Sequence, residues 1–361
     1  AMSIAAFAVV KTSGQKPIFS EPMIWMTLLA AAFFWQSSHI IRFSPIWPKE
    51  IPDSVVNRDG LEINFVVANL DYENHQSASA VIQDLQSVDA DVLLLIELNE
   101  PWMKELSQIR DSYAHHYEYV RGEGLGIAIW SQLELQENQT KFLISNRRAS
   151  LWTKLVSPQG RAINFVGVHP TPPGLLDSTD DKRRDSRVRD AELILVAKLI
   201  AERTDEPWVV AGDFNDVAWS HTTRLFKRTS GLLDPRIGRS FMGTFVAQYP
   251  PCRCPIDHVL LSKDFAVRQL SRMRITGSDH FAVSASVSIE SIEKGVEPRP
   301  EANDEDDAAQ IVEEGVEDAK ERGVDSNHPS ASKVKALSGS QSSKNSETKP
   351  NSKTASDPEK N

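Results

Sequence analysis

At 361 residues the chain could hold two average domains, but its apolar periodicity is confined to the middle. Most of the formal charge of −10 lies in the tail after Ser288, so the central segment is only mildly acidic. That balance argues against a general DNA-binding surface without excluding a nuclease. Two cysteines one residue apart, Cys252 and Cys254, are too few for a zinc site and read as loop thiols.

In chain order, residues 1–43 read as a membrane-anchoring segment. Met23 to Phe43 carries no formal charge before Arg42, spans about 20 residues and places Trp25 and Trp35 at interfacial depths. A retained membrane helix is expected over a cleaved signal, because the small residues Ala30, Ala31 and Ala32 fall in mid-run. Ala1 to Val10 is also apolar and compatible with the end of a preceding helix. Lysines and arginines flank the segment on both sides, so charge gives no orientation.

Residues 44–58, punctuated by Pro45, Pro48 and Pro52, read as an extended linker. Residues 59–290 are expected to form the catalytic domain. Its strands are read at Leu61–Leu70, Asp91–Ile96, Gly126–Trp130, Phe142–Ile144, Leu151–Val156, Ile163–Val168, Trp208–Ala211, Val259–Leu261 and Ala282–Ile289. Helices are read over Ser77–Ser87 and Ser186–Glu202, the latter from the spacing of Val188, Leu193, Val196, Leu199 and Ile200. Helices interspersed among many strands point to an α/β fold with two mixed sheets. Residues 291–361 turn acidic and then Ser/Lys-rich, and are expected to be disordered, with Val312, Val316 and Lys320 marking at most a marginal helix.

The chemistry concentrates at strand ends. The run Val209-Val210-Ala211 stops in Gly212-Asp213-Phe214-Asn215, and the pattern returns in Ile256-Asp257-His258 and Ser278-Asp279-His280. Earlier strands end in Asn69 with Asp71, in Glu97, and in His169. Asp, Asn, Glu and His are the residues needed to hold a hard divalent cation and to cut a phosphate ester. Glu97 follows five apolar residues, where an unpaired carboxylate would cost several kcal/mol, so a metal partner is the cheaper explanation. Asp71 is equally well explained as a turn former. His258, next to Asp257, is expected to face away from the site. The basic cluster Lys182-Arg183-Arg184, with Arg187 and Arg189, begins a helix; such a run is usually a solvated face, but Arg187 and Arg189 are candidates for phosphate contact.

Taken in order, Ala68-Asn69-Leu70-Asp71, Leu95-Ile96-Glu97, Gly167-Val168-His169-Pro170, Gly212-Asp213-Phe214-Asn215, Ile256-Asp257-His258 and Ser278-Asp279-His280-Phe281 resemble the motifs of the endonuclease/exonuclease/phosphatase superfamily, whose fold is that of deoxyribonuclease I. Ile96 stands where the family usually has Gln. The resemblance covers about Leu61 to Ile289 and implies a four-layer α/β/β/α sandwich, here preceded by a membrane helix. It further implies a Mg²⁺-dependent hydrolase (Mn²⁺ being an alternative metal). Glu97 would be the principal metal ligand, with Asn69, Asp71 and Asp279 nearby. Asp213 would handle the attacking water, Asn215 and His169 would donate to phosphate oxygens, and Asp257 would orient His280. Together with the membrane segment and the Pro-rich run after His169, the motifs are similar to a bacterial membrane-linked branch that includes teicoplanin-resistance-type proteins. The expected function is hydrolysis of phosphate mono- or diesters at a bacterial cell membrane, with the domain extracytoplasmic. The substrate is expected to be a lipid-linked phosphate, with nucleic acid as the alternative and a non-catalytic binding module as a third reading. No protein partner is evident.

Overall fold

The computed structural model describes residues 21–55, 61–74, 78–173, 186–203, 206–289 and 294–326. Two mixed sheets pack face to face. The six-stranded sheet combines β1 (Glu62–Asn69), β2 (Val92–Leu98), β3 (His115–Tyr119), β4 (Gly126–Ser131), β10 (Phe265–Arg274) and β11 (Phe281–Ile289), in the order β10-β11-β1-β2-β4-β3. The five-stranded sheet runs in sequence from β5 (Glu134–Lys141) through β6 (Ser150–Val156), β7 (Ala162–Val168) and β8 (Trp208–Asp213) to β9 (Asp257–Leu261). Strand β2 is apolar on both faces, because one face meets the second sheet and the other meets helices.

Between the sheets, Phe65 stacks on Phe165 with ring centroids 5.6 Å apart, surrounded by Leu94, Ile129, Val209 and Val283. Helix α2 (Ala78–Gln86) and the short helices α3 (Glu100–Glu105) and α4 (Ser107–Arg110) cover the outer face of the larger sheet through Val81, Leu85, Trp102 and Ile109. Helices α5 (Arg187–Ala201) and α6 (His221–Ser230) cover the smaller sheet through Val188, Leu193, Leu225 and Phe226. This is the α/β/β/α sandwich, with helix α1 (Glu21–Ile40) ahead of it.

Three segments differ from expectation. The residues after 293 do not form a disordered tail as far as Ser326: helix α7 (Asp304–Glu321) packs on α5 with Ala308, Val312 and Ala319 buried. Gly315 lets the two helices close, since a Cβ there would lie 2.3 Å from that of Ala191. The small apolar stripe is too sparse to fold alone, and α5 supplies the surface it lacks. The Pro-rich stem after α1 is docked rather than extended into solvent. Phe43 and Ile51 are buried, Lys227 is ion-paired to Glu50 at 2.6 Å, and the amide of Val267 donates to the Pro52 carbonyl. Finally, Phe142–Ile144 is not a strand; Leu143 and Ile144 are apolar because they pack beneath α5 and α7. The N-terminal Ala1 to Val10 stretch, Lys182-Arg183-Arg184 and the Ser/Lys-rich end lie outside the described residues.

Helix α1 is exposed along its length and is the one helix among the described residues long and apolar enough to cross a membrane.

Candidate active site

The strand directions bring the chemistry together. Strands β1 and β2 are parallel, as are β7 and β8, so Asn69, Glu97, His169 and Asp213 all arrive at carboxyl ends. Strands β9 and β11 run antiparallel to their neighbours, so their amino ends deliver Asp257, Asp279 and His280 to the same rim.

Backbone distortions aim the side chains. Glu97 sits at a register shift between Ile96 and Leu98, and its φ of 62° turns its carboxylate out of the strand. Asp71 (φ 57°) and Asn215 (φ 53°) are also in the left-handed region, where non-glycine residues are strained. Gly212 has no alternative: its φ is 152° and a Cβ would meet the Val168 carbonyl oxygen at 1.9 Å.

Asn69 lies at the centre. Its Nδ2 donates to Glu97 Oε1 and to Asp213 Oδ2, both at 3.2 Å, while its Oδ1 accepts from the Asp71 amide at 3.0 Å. Asp71 is thereby a neighbour that fixes Asn69, at the edge of the cluster. Glu97 also accepts from the Tyr72 amide at 3.3 Å. Asp213 takes the Asn215 amide at 2.8 Å, and Asn215 Nδ2 donates to the Pro170 carbonyl at 3.2 Å. His280 Nδ1 donates to Asp257 Oδ2 at 2.9 Å, leaving Nε2 3.7 Å from Asp213 Oδ2 and 3.8 Å from Asp279 Oδ1. His169 Nε2 lies 3.7 Å from Glu97 Oε1.

Arg187 and Arg189 are not brought into this cluster. Arg187 pairs with Asp318 of α7 at 3.3 Å. Arg189 is buried against Asp190 and Asp216 and donates to the Asn215 carbonyl at 2.6 Å, so it braces the Asn215 loop from behind. Its guanidinium is already satisfied. His258 is buried on the far face, as expected, with Nδ1 accepting from Arg236 at 2.7 Å and its ring stacked on Phe214.

One residue of the site has no sequence signal. Arg148, from an irregular loop, places Nη1 2.7 Å from His169 Nδ1. Neither spacing nor periodicity distinguishes it from Arg147 beside it. The same Nη1 lies 3.1 Å from Nε2; the shorter contact favours Nδ1 as the acceptor, which leaves the His169 proton on Nε2. Glu192 completes this wall, accepting from the Ser145 and Thr171 amides at 3.0 and 3.1 Å.

The electrostatics are those of crowded, desolvated acids. Burial and then the charge of Asp257 push Asp213 up to about 7, against the opposing pull of His280. Burial alone would depress His280, but Asp257 and Asp213 outweigh it and raise it to about 10. Glu97 and Asp279 are raised by burial, and His169 is held well below the usual histidine range by burial and then Arg148. Asp257 Oδ1 is buried without a partner among the described residues. Asp213, Asp257 and His280 bring ligand atoms within 4.8 Å of one another. His280 is, however, committed to Asp257, which makes these three poorer ligands than the more accessible carboxylates of Glu97 and Asp279. Oxygen donors with a shortage of positive charge fit a hard divalent cation.

A model of the Endonuclease/Exonuclease/phosphatase family matches residues 66–280. The chain belongs to this family. It is therefore a metal-dependent hydrolase of phosphate esters. No curated protein matches it. Among solved structures it is similar to D. rerio TDP2 humanized by 14 mutations, at 17% identity and a TM-score of 0.51, over 63% of this chain and 98% of that one. D. rerio TDP2 complexed with a single-strand DNA product matches at 16% identity and a TM-score of 0.50, over 63% and 98%. Sphingomyelinase C from Streptomyces griseocarneus matches at 14% identity and a TM-score of 0.46, over 63% and 99%. At these identities the likeness to the two TDP2 structures establishes the shared fold.

Proposed function

We propose that this family member is a membrane-tethered, Mg²⁺-dependent phosphoesterase acting on a lipid-linked phosphate. The observation that carries the reading is the His280–Asp257 pair set 3.7 Å from Asp213, on the rim that also holds Asn69, Glu97 and His169. Glu97 and Asp279 would hold the metal with Asn69 and Asp71 close by, and the ion would supply Lewis-acid neutralisation of phosphate charge. A site of one or two carboxylates suits Mg²⁺, which keeps most of its waters; Mn²⁺ fits the same oxygens.

The chain's own residues do the rest. Asp213, raised to about 7, has the basicity to take a proton from an attacking water near neutral pH. His280 stays protonated there, and its Nε2–H donates to a phosphate oxygen while Asp257 fixes the ring through Nδ1. His169 Nε2–H and the Asn215 carboxamide are further donors for phosphate oxygens, each held by a second contact, Arg148 and the Pro170 carbonyl. Preorganised donors of this kind contribute roughly 3 kcal/mol each to the transition state.

Helix α1 supports tethering, and the docked stem from Phe43 to Ser54 would hold the rim close to the bilayer. The likeness to a bacterial membrane-linked branch favours an extracytoplasmic domain. Detergent-solubilised full-length protein should hydrolyse phospholipid or polyprenyl phosphates faster than single-stranded or duplex DNA. Faster cleavage of DNA would replace the lipid reading with a nuclease.

A further inference from the structure

Beside the catalytic rim, three guanidinium groups converge on one ring. Arg253, Arg272 and Arg274 lie 4.8, 4.7 and 5.5 Å from the centroid of Phe281, the residue after His280. Arg274 is directly across the ladder from Phe281, and Arg272 lies diagonally, on the same face. Arg253 comes from the facing loop, where its Nη2 donates to the Ala247 carbonyl at 2.6 Å. The Ala247 amide donates in turn to the Asp279 carbonyl at 2.7 Å, so the cluster is tied to the catalytic turn. Arg272 donates to the Gly243 carbonyl. The Arg274 side chain makes no hydrogen bond or ion pair with any described residue. None of the three is ion-paired with a carboxylate among the described residues. Three like charges gathered on a partly exposed ring, with no carboxylate paired to them among the described residues, are suited to hold an anion.

The place of the cluster says where that anion comes from. Gly243, which holds Arg272, is two residues from Phe241, which packs against Phe43 with ring centroids 6.4 Å apart. Phe43 follows the end of α1 by three residues, and the Arg42 carbonyl accepts from the Gly238 amide of the same loop. One loop therefore joins the point where α1 meets the domain to the arginine cluster. Cations at a bilayer surface attract anionic headgroups. Three guanidinium groups lie over the Phe281 ring, so that ring is not a free platform for stacking a base.

From this juxtaposition we infer that Arg253, Arg272 and Arg274 form a phosphate-binding site for an anionic lipid headgroup in the bilayer that holds α1, next to the catalytic rim. The inference rests on the membrane-tethered reading and deepens it. The site selects lipids whose headgroup ends in an exposed phosphate and positions them beside His280.

The test is calorimetric titration of the full chain, in neutral detergent with EDTA, using dihexanoyl phosphatidic acid as the probe. EDTA prevents turnover and metal-bridged binding. The probe should bind the protein at least about tenfold more tightly than inorganic phosphate, and Arg272→Ala/Arg274→Ala should lose at least about tenfold in affinity, while Arg268→Ala, on the same strand but paired with Glu62, retains it. Arg274→Ala alone should weaken binding as well, and it breaks no hydrogen bond within the described structure. Unchanged affinity in the arginine variants would overturn the inference. An equal loss of binding in Arg268→Ala, inorganic phosphate binding as tightly as the lipid, or a short oligonucleotide binding more tightly would overturn it too. Absence of phosphodiesterase activity would count against the proposed function but would leave this binding result intact.

Discussion

Acidification should weaken the fold through one buried histidine, and a single substitution isolates the effect. His258 is enclosed, with Nδ1 accepting from Arg236 Nη2 at 2.7 Å and Nε2 donating to the Asp216 carbonyl at 2.9 Å. Burial and then the Arg236 charge lower its pKa from 6.5 to about 3. Below pH 6.5 the unfolded chain gains a proton that the folded chain refuses, so this stability is present above 6.5 and is lost as pH falls toward 3. At 1.36 kcal/mol per unit, the full loss is about 5 kcal/mol, of which about 2 kcal/mol falls between pH 7 and pH 5. His258→Gln removes the titration at a cost of about 1–3 kcal/mol for the broken Arg236 contact. Urea unfolding of both proteins in detergent, followed by tryptophan fluorescence, gives the stability gap at each pH. Glu192 and Asp213, both raised to about 7, also titrate near this range, but they are common to both proteins and cancel in the gap. The gap should shrink by about 2 kcal/mol from pH 7 to pH 5. A gap of equal size at both pH values would refute the reasoning.

Other consequences concern the site and the packing. Asp213→Asn and His280→Ala should each lower kcat by at least about 10²-fold, with unfolding midpoints close to the parent, as measured by steady-state kinetics and urea titration. Gly212→Ala must move the Val168 carbonyl, which a Cβ would approach to 1.9 Å, and should cost several kcal/mol along with activity. Val312→Asp would bury an unpaired carboxylate between α7 and α5 and should destabilise by about 3 kcal/mol; no effect would mean that the helix is not docked.

Much of this was legible in the sequence because burial and chemistry left patterns. Strands β1, β2, β7, β8 and β11 are apolar runs, and the acids and histidines that end or precede them are chemically conspicuous. Strands β3, β5 and β10 were missed because they are sheet edges with little alternation to read; seven of the eight residues of β5 are polar or charged. Helix α7 is hidden in an acidic run because small residues are enough to pack against α5. The stem is disguised by its prolines, although Phe43 and Ile51 bury completely or nearly so. Arg148 meets His169 only through tertiary structure, and no local pattern marks it. At Arg187 and Arg189 charge alone pointed to phosphate, whereas the fold pairs the two guanidiniums with Asp318, Asp190 and Asp216.

The most direct test of the central claim is hydrolysis of bis-(p-nitrophenyl) phosphate by the full-length protein with Mg²⁺, with EDTA, and in Glu97→Ala. Glu97 is the carboxylate that the β2 distortion and Asn69 aim into the cluster, so both chelation and its removal should lower the rate by at least about 10²-fold. Activity that survives either change would contradict a metal-dependent centre built on Glu97.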